Sequence, residues 1–247
     1  MTVPGVRVYE DAAAVAHALA DTIVGAGQEA IARNGSFHVA LSGGTTPRAA
    51  YELLARDPDS DELSWSDVFV YFGDERCVPP DDEESNYRMA RTAFLDDVGI
   101  PQPNVHRMRG EIDPKQAAAQ YADVLRDDLG TLPHFDLLLL GLGPDGHTAS
   151  LFPGSPPDED SQALVRALYS KSQSMWRITV TPDVINAARR VVFAVEGTSK
   201  ASILATVLQG PRDPEKYPAQ IVAPQPGKLE WLVDRAAAAF LRESPAG

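Results

Sequence analysis

The chain has 247 residues, 44% of them apolar and 23% charged, which suits one large α/β domain with a sizeable core. Its 22 Lys and Arg against 35 Asp and Glu give a net charge of −13, which argues against nucleic acid and anionic membrane surfaces as partners, since both reward a basic patch. No run approaches the roughly 18 apolar residues of a membrane span.

The first ten residues lack the basic-then-apolar pattern of a secretory signal, and the single cysteine, Cys77, allows no internal disulfide. A reducing compartment is expected, by default the cytosol. In chain order, residues 6–9 read as a strand. Residues 11–33 read as a helix with Val15, Leu19, Ile23 and Ile31 on one face, ended by Asn34-Gly35. A strand over 37–41 leads through a Gly-Gly turn to a helix over 47–55. A strand over 68–72, a helix over 85–97, a short strand over 104–108 and a helix over 114–129 follow. Residues 135–140 are an unbroken apolar run, as a strand buried on both faces would be. Strands over 177–181 and 190–195, a helix over 198–208, a strand over 229–233 and a closing helix over 234–241 complete the pattern. Strand–helix alternation predicts a mostly parallel sheet with helices on both faces, and ligands of such sheets bind at the carboxyl ends of the strands. Two Pro-rich acidic loops, 79–84 and 153–160, read as lids or as solvated turns.

Four segments at those strand ends carry candidate chemistry. In Leu41-Ser42-Gly43-Gly44-Thr45-Thr46-Pro47, a strand runs into two glycines, hydroxyls and a proline suited to a first helical turn. Glycines let backbone amides approach an anion, and a helix start adds partial positive charge, so the segment reads as a phosphate cradle. A plain turn with a Thr cap would look the same. No Lys follows, so it is not a triphosphate loop of the Walker kind. The second segment, Gly73-Asp74-Glu75-Arg76-Cys77-Val78-Pro79, places three charges directly after an apolar strand, with the polar helix start Ser85-Asn86-Tyr87-Arg88 downstream. Nothing marks Cys77 as a nucleophile.

The third segment runs from Gly141 to Pro153. Its G-x-G-x-x-G spacing invites a dinucleotide reading, but Pro153, Pro156 and Pro157 interrupt any long following helix, and the motif lies late in the chain. Asp145 and His147 are the better focus. Three glycines shape a tight loop that can hold a His beside a carboxylate, and a neutral His so oriented is a suitable general base. His17, His38, His106 and His134 lack such a setting. The fourth feature is a pair of later cations, Arg177 and Lys200, which with the Gly-Gly-Thr-Thr loop would make a phosphate clamp.

These four segments, in order, resemble the 6-phosphogluconolactonase family: Ser-Gly-Gly-Thr-Thr-Pro, Gly-Asp-Glu-Arg-x-Val-Pro with Ser-Asn-Tyr, Gly-x-Gly-Pro-Asp-Gly-His-Thr-Ala-Ser-Leu-Phe-Pro-Gly, and Arg-Ile-Thr with Gly-x-x-Lys. The third is highly specific, whereas the first and last would be weak alone. The resemblance covers essentially the whole chain, residues 1–247, as a single domain. It implies a Rossmann-like α/β sheet, no metal, no organic cofactor and no obligate protein partner. It implies a carboxylic ester hydrolase that opens a phosphorylated sugar lactone, 6-phospho-D-glucono-1,5-lactone, in the oxidative pentose phosphate pathway. His147 would be the base, with Asp74, Arg76 and Asp145 around it. Phosphate binding would fall to Ser42, Gly43, Gly44, Thr45, Arg177 and Lys200.

Three other readings are open. Glucosamine-6-phosphate deaminases resemble the chain in the Gly-Gly-Thr and Asp-Gly-His motifs but carry a Glu five residues after that His, where this chain has Phe152. A non-catalytic sugar-phosphate sensor would normally bring a DNA-binding segment. A metal hydrolase would have to use Asp74, Glu75 and His147, three scattered ligands.

Overall fold

The computed structural model describes residues 5–56, 63–155 and 162–242. Its strands, in chain order, are β1 (Val6–Tyr9), β2 (Phe37–Leu41), β3 (Val68–Phe72), β4 (Asp74–Arg76), β5 (Leu137–Leu140), β6 (Val165–Ser170), β7 (Met175–Val180), β8 (Arg190–Val195) and β9 (Lys228–Asp234). The helices are α1 (Ala12–Asn34), α2 (Thr45–Leu54), α3 (Asn86–Ala90), α4 (Pro114–Leu129), α5 (Pro182–Ala187) and α6 (Ala201–Gln209).

The four leucines of β5 are all buried. Leu137 and Leu139 face one core, Leu138 and Leu140 the other, as the two-residue period of a strand requires when both faces are covered. Around β5 a six-stranded sheet runs in the order β1-β9-β8-β5-β2-β3, and every neighbouring pair is parallel. Helices α1 and α2 cover one face through Val15, Leu19, Ile23, Ala50 and Tyr51. Helices α4, α5 and α6 cover the other through Tyr121, Leu125, Ile185 and Leu204. The helix ends follow local chemistry. Asp11 caps α1 by accepting the Ala14 amide at 2.9 Å, and Gly35, at φ 78°, closes it by donating to Ile31.

The chain steps from β2 outward to β3, then returns to β5 and proceeds through β8 to β9 in the opposite direction. The reversal lies between β2 and β5, so a crevice is expected at their carboxyl ends.

Beyond β3 the chain does something the strand–helix pattern did not indicate. Gly73 turns it out of the parallel sheet, and β4 pairs antiparallel with β7, which pairs with β6. The Arg-Ile-Thr strand therefore belongs to a second, three-stranded sheet. Three further expectations are corrected. Residues 104–108 form no strand: a 3-10 turn at Gln102–Asn104 precedes a single bridge from Val105 to Val70, and the Asn104 side chain rather than a backbone amide takes the Val68 carbonyl of β3, at 3.1 Å. The helix expected over 85–97 is α3 followed by one wide turn, Arg91–Leu95, where the Thr92 hydroxyl bonds back to the Arg88 and Met89 carbonyls. The closing helix is only a 3-10 turn at Ala237–Phe240, begun by the Asp234 carboxylate on the Ala237 amide. Of the loop 153–160, residues 156–160 lie outside the described residues.

Candidate active site

A cavity of about 230 Å³ opens at the carboxyl ends of β2, β3 and β5, and each of the four sequence segments reaches it. The loop after β2 contributes Ser42, Gly43 and Gly44. The buried Tyr51 hydroxyl holds this loop, taking the Ser42 amide at 3.2 Å and giving to its carbonyl at 3.1 Å. Gly44, at φ 109°, opens α2 with no side-chain cap, which leaves the amides of the first turn for another partner. The Ser42 Oγ is buried and has no hydrogen-bond partner among the described residues. Thr45 turns away: it does not line the cavity, and its hydroxyl donates to Glu196 at 3.2 Å.

Strand β4 delivers Asp74 and Arg76 to the cavity and points Glu75 elsewhere, by the alternation of a strand. Asp74 is 5% exposed. Its Oδ2 accepts from the Ser150 hydroxyl at 2.6 Å and the Arg177 guanidinium at 2.7 Å, and its Oδ1 accepts from Asn86 at 3.3 Å. Burial pushes this carboxyl up, but the Arg177 charge and the Ser150 and Arg177 hydrogen bonds outweigh it and hold the group below the usual range. Glu75 is an anchor that sequence reasoning missed. It accepts from the amides of Arg76, Asn86 and Tyr87 at 2.8, 2.7 and 2.8 Å and from the Ser85 hydroxyl at 3.1 Å. Those bonds tie the start of α3 to β4. Arg76 donates to the Glu84 carbonyl.

The loop after β5 holds His147 at the cavity wall with Asp145 behind it. His147 Nδ1 lies 2.5 Å from Asp145 Oδ1, and the same oxygen accepts the His147 amide at 3.1 Å. With Nδ1 on a carboxylate, that nitrogen carries the proton and Nε2 is the basic one. Burial raises the Asp145 carboxyl, yet the amide and charge of His147 bring it below its usual value. Two glycines are required here. A methyl on Gly143 would stand 2.0 Å from His147 Nδ1, and Gly146 has φ 85°. The imidazole rests against Phe152 at a centroid distance of 4.7 Å.

Arg177, on β7, is 5% exposed and bridges Asp74 and Gln173, the latter at 2.7 Å. Lys200, just before α6, donates to the Leu142 carbonyl at 2.8 Å, and burial lowers its pKa. The cavity thus unites Ser42, Gly43, Gly44, Asp74, Arg76, His147, Arg177 and Lys200, and adds Asn86, Gln173 and Ala149. Asn86 lay in a motif already noted, whereas Gln173 carried no sequence signal. Burial pushes the Cys77 thiol up to about 11, which keeps it protonated at neutral pH. Among the described residues no three His, Cys, Asp or Glu side chains are placed to hold a metal ion, so Asp74, Glu75 and His147 do not form a ligand set. Nor is any helix among the described residues long and apolar enough to cross a membrane.

Residues 10–231 match the family model described as glucosamine-6-phosphate isomerases/6-phosphogluconolactonase. The chain belongs to this family. Within the family, a Synechocystis sp. protein named 6-phosphogluconolactonase is 45% identical over 219 residues, covering 87% of this chain and 88% of its own. A Nostoc sp. 6-phosphogluconolactonase is 39% identical over 241 residues, 96% of this chain and 98% of its own. The solved 6-phosphogluconolactonase from Trypanosoma cruzi superimposes with a TM-score of 0.85 at 29% identity, over 98% of this chain and 99% of that one.

Proposed function

We propose that the protein hydrolyses 6-phospho-D-glucono-1,5-lactone to 6-phospho-D-gluconate, a step of the oxidative pentose phosphate pathway, in the cytosol. The names of its relatives support the reaction. The observation that carries the mechanism is the 2.5 Å contact of His147 Nδ1 with Asp145, at the wall of a cavity rich in cations. His147 Nε2 takes a proton from a water molecule as its oxygen attacks the lactone carbonyl. Arg76 or loop amides stabilise the tetrahedral oxyanion. The bond from the carbonyl carbon to the ring oxygen then breaks, and His147 returns the proton to that oxygen. Asp145 orients the ring throughout. The path forms no covalent intermediate and asks for no metal, organic cofactor or protein partner.

The amides of Gly43 and Gly44, the Ser42 hydroxyl, Arg177 and Lys200 are the phosphate ligands in this reading, and Thr45 joins them only by leaving Glu196. The Arg177 charge is matched by Asp74. Arg76 and Lys200, which form no ion pair among the described residues, therefore carry most of the local field that draws an anion to a chain of net charge −13. Phe152 stands at the position where the deaminase branch would need a carboxylate, which favours the lactonase reading.

The test generates the lactone in place from glucose 6-phosphate and follows its loss with intact protein, His147→Ala protein and no protein. The intact protein is expected to accelerate the loss, and the variant to be slower by on the order of 10²- to 10⁴-fold. A loss near two-fold would remove His147 from the mechanism. No acceleration by intact protein would overturn the reaction and send the search to glucosamine 6-phosphate. Activity that disappears with a chelator would restore a metal reading.

A further inference from the structure

The phosphate and the carbonyl of the substrate have partners in the proposed site, but its ring hydroxyls have none. The cavity is rich in donors: Arg76, Arg177, Lys200 and loop amides. Asn86 apart, the side-chain carbonyl and carboxylate oxygens that line it each already accept a hydrogen bond. Both Asp74 oxygens are occupied, by Ser150 and Arg177 on one and Asn86 on the other. The Gln173 Oε1 is held by Arg177, and the Leu142 carbonyl by Lys200. The basic nitrogen of His147 is reserved for water.

Asn86 differs. It is 3% exposed, lines the cavity, and is fixed at three points. Its backbone amide donates to Glu75 at 2.7 Å. Its Nδ2 donates to the Asp74 carbonyl at 2.9 Å and to the Asp74 carboxylate at 3.3 Å. Both amide hydrogens are thereby used, and the opposite orientation would set oxygen against two acceptors, so chemistry fixes which end is which. Among the described residues nothing donates to Asn86 Oδ1. That oxygen lies against Gly43, where a methyl group would come within 2.0 Å of it. The Gly43 backbone needs no positive φ, so what calls for glycine there is room for this carbonyl.

We propose that Asn86 is a specificity-determining residue, whose Oδ1 accepts a hydrogen bond from one ring hydroxyl of the phosphosugar substrate. A side-chain carbonyl repels a phosphate or a carboxylate and suits a neutral hydroxyl. Its rigid mounting orders it before the ligand arrives, which keeps the cost of binding low. This assignment rests on the sugar-lactone reading.

The test measures kcat/KM of intact protein and Asn86→Ala protein on the parent phospholactone and on its 2-, 3- and 4-deoxy analogues. Intact protein is expected to lose roughly 3- to 10-fold on one deoxy analogue, the worth of one neutral hydrogen bond. Asn86→Ala is expected to lose the same factor on the parent and to handle that analogue no worse than the intact protein does. Gly43→Ala, which drives a methyl into Oδ1, should also abolish the parent-to-deoxy ratio, and it reports on the contact should Asn86→Ala fail to fold. An equal loss on the parent and all three analogues would overturn the proposal and make Asn86 a brace for Asp74 only. Intact protein that turns over the parent lactone without discriminating any analogue would overturn it as well. Intact protein without activity on the parent would overturn the lactone reading and this assignment together.

Discussion

Two aspartates beside one cavity show how neighbours set the use of a side chain. Asp145 follows β5 in a glycine-rich loop, its side chain is 40% exposed, and one of its oxygens serves a single residue, His147. Asp74 opens β4, is almost wholly buried, and collects hydrogen bonds from Ser150, Arg177 and Asn86. The first is placed to tune one imidazole. The second joins β4, β7, α3 and the loop after β5, so its removal is felt in the fold before it is felt in the chemistry. Placing both around His147, as the family resemblance does, hides that difference.

The sharpest way to break the comparison is to delete each carboxylate and measure stability and rate together. Asp74→Ala leaves Arg177 buried without its counter-charge and is expected to cost about 3–5 kcal/mol of folding stability in urea unfolding. Asp145→Asn should unfold close to the unaltered protein. Equal stability for the two variants would abolish the distinction.

Gly143→Ala attacks the loop from the other side. The added methyl must displace the His147 ring, and an ångström of misplacement at a reacting group is worth about 100-fold in rate. Lactone turnover at saturating substrate reads this, with stability expected to change far less than for Asp74→Ala. Asp145→Asn itself removes the carboxylate that orients the ring, the kind of supporting partner whose loss typically costs about 10- to 100-fold in activity, so kcat should fall by that order while the fold persists. A larger fall in stability than in rate would move Asp145 into the class of Asp74.

The smallest effect is expected from two histidines remote from the cavity. His38 stacks on Phe69 and lies 3.4 Å from the Tyr71 hydroxyl, and His106 lies 3.4 Å from Asp128 and stacks on Tyr71. Burial lowers the pKa of both, against the opposing charges of Asp136 and Asp128. Their folded pKa values lie below the unfolded value of 6.5. The stability they contribute is therefore present above pH 6.5 and lost as pH falls below it, because the unfolded chain binds protons first. A loss of about 1 kcal/mol corresponds to a Tm about 2–4 °C lower in a chain of this size. Thermal melts at falling pH should show a drop of that order, and a His38→Gln, His106→Gln protein should show less of it.

Much of this molecule follows from its sequence alone, and the reason is locality. An apolar run such as Leu137–Leu140 has one stable outcome, a strand covered on both faces. The pairing of Asp145 with His147 spans two residues, and the glycines that permit it lie within the same loop. Such features need no knowledge of the rest of the chain. The second sheet, the turn of β4 out of the first, and the identity of the groups around Asp74 were decided only by tertiary structure. Asp74 meets Arg177 across 103 positions of sequence, and Thr45 is drawn to Glu196 across 151. Contacts of that span depend on strand register and on which elements pack together. So a loop legible as a phosphate cradle could place three of its residues in the cavity and turn the fourth away. Asn86 was visible as part of a polar motif, but its unspent oxygen exists only because Glu75, Asp74 and Gly43 converge on it in the folded chain.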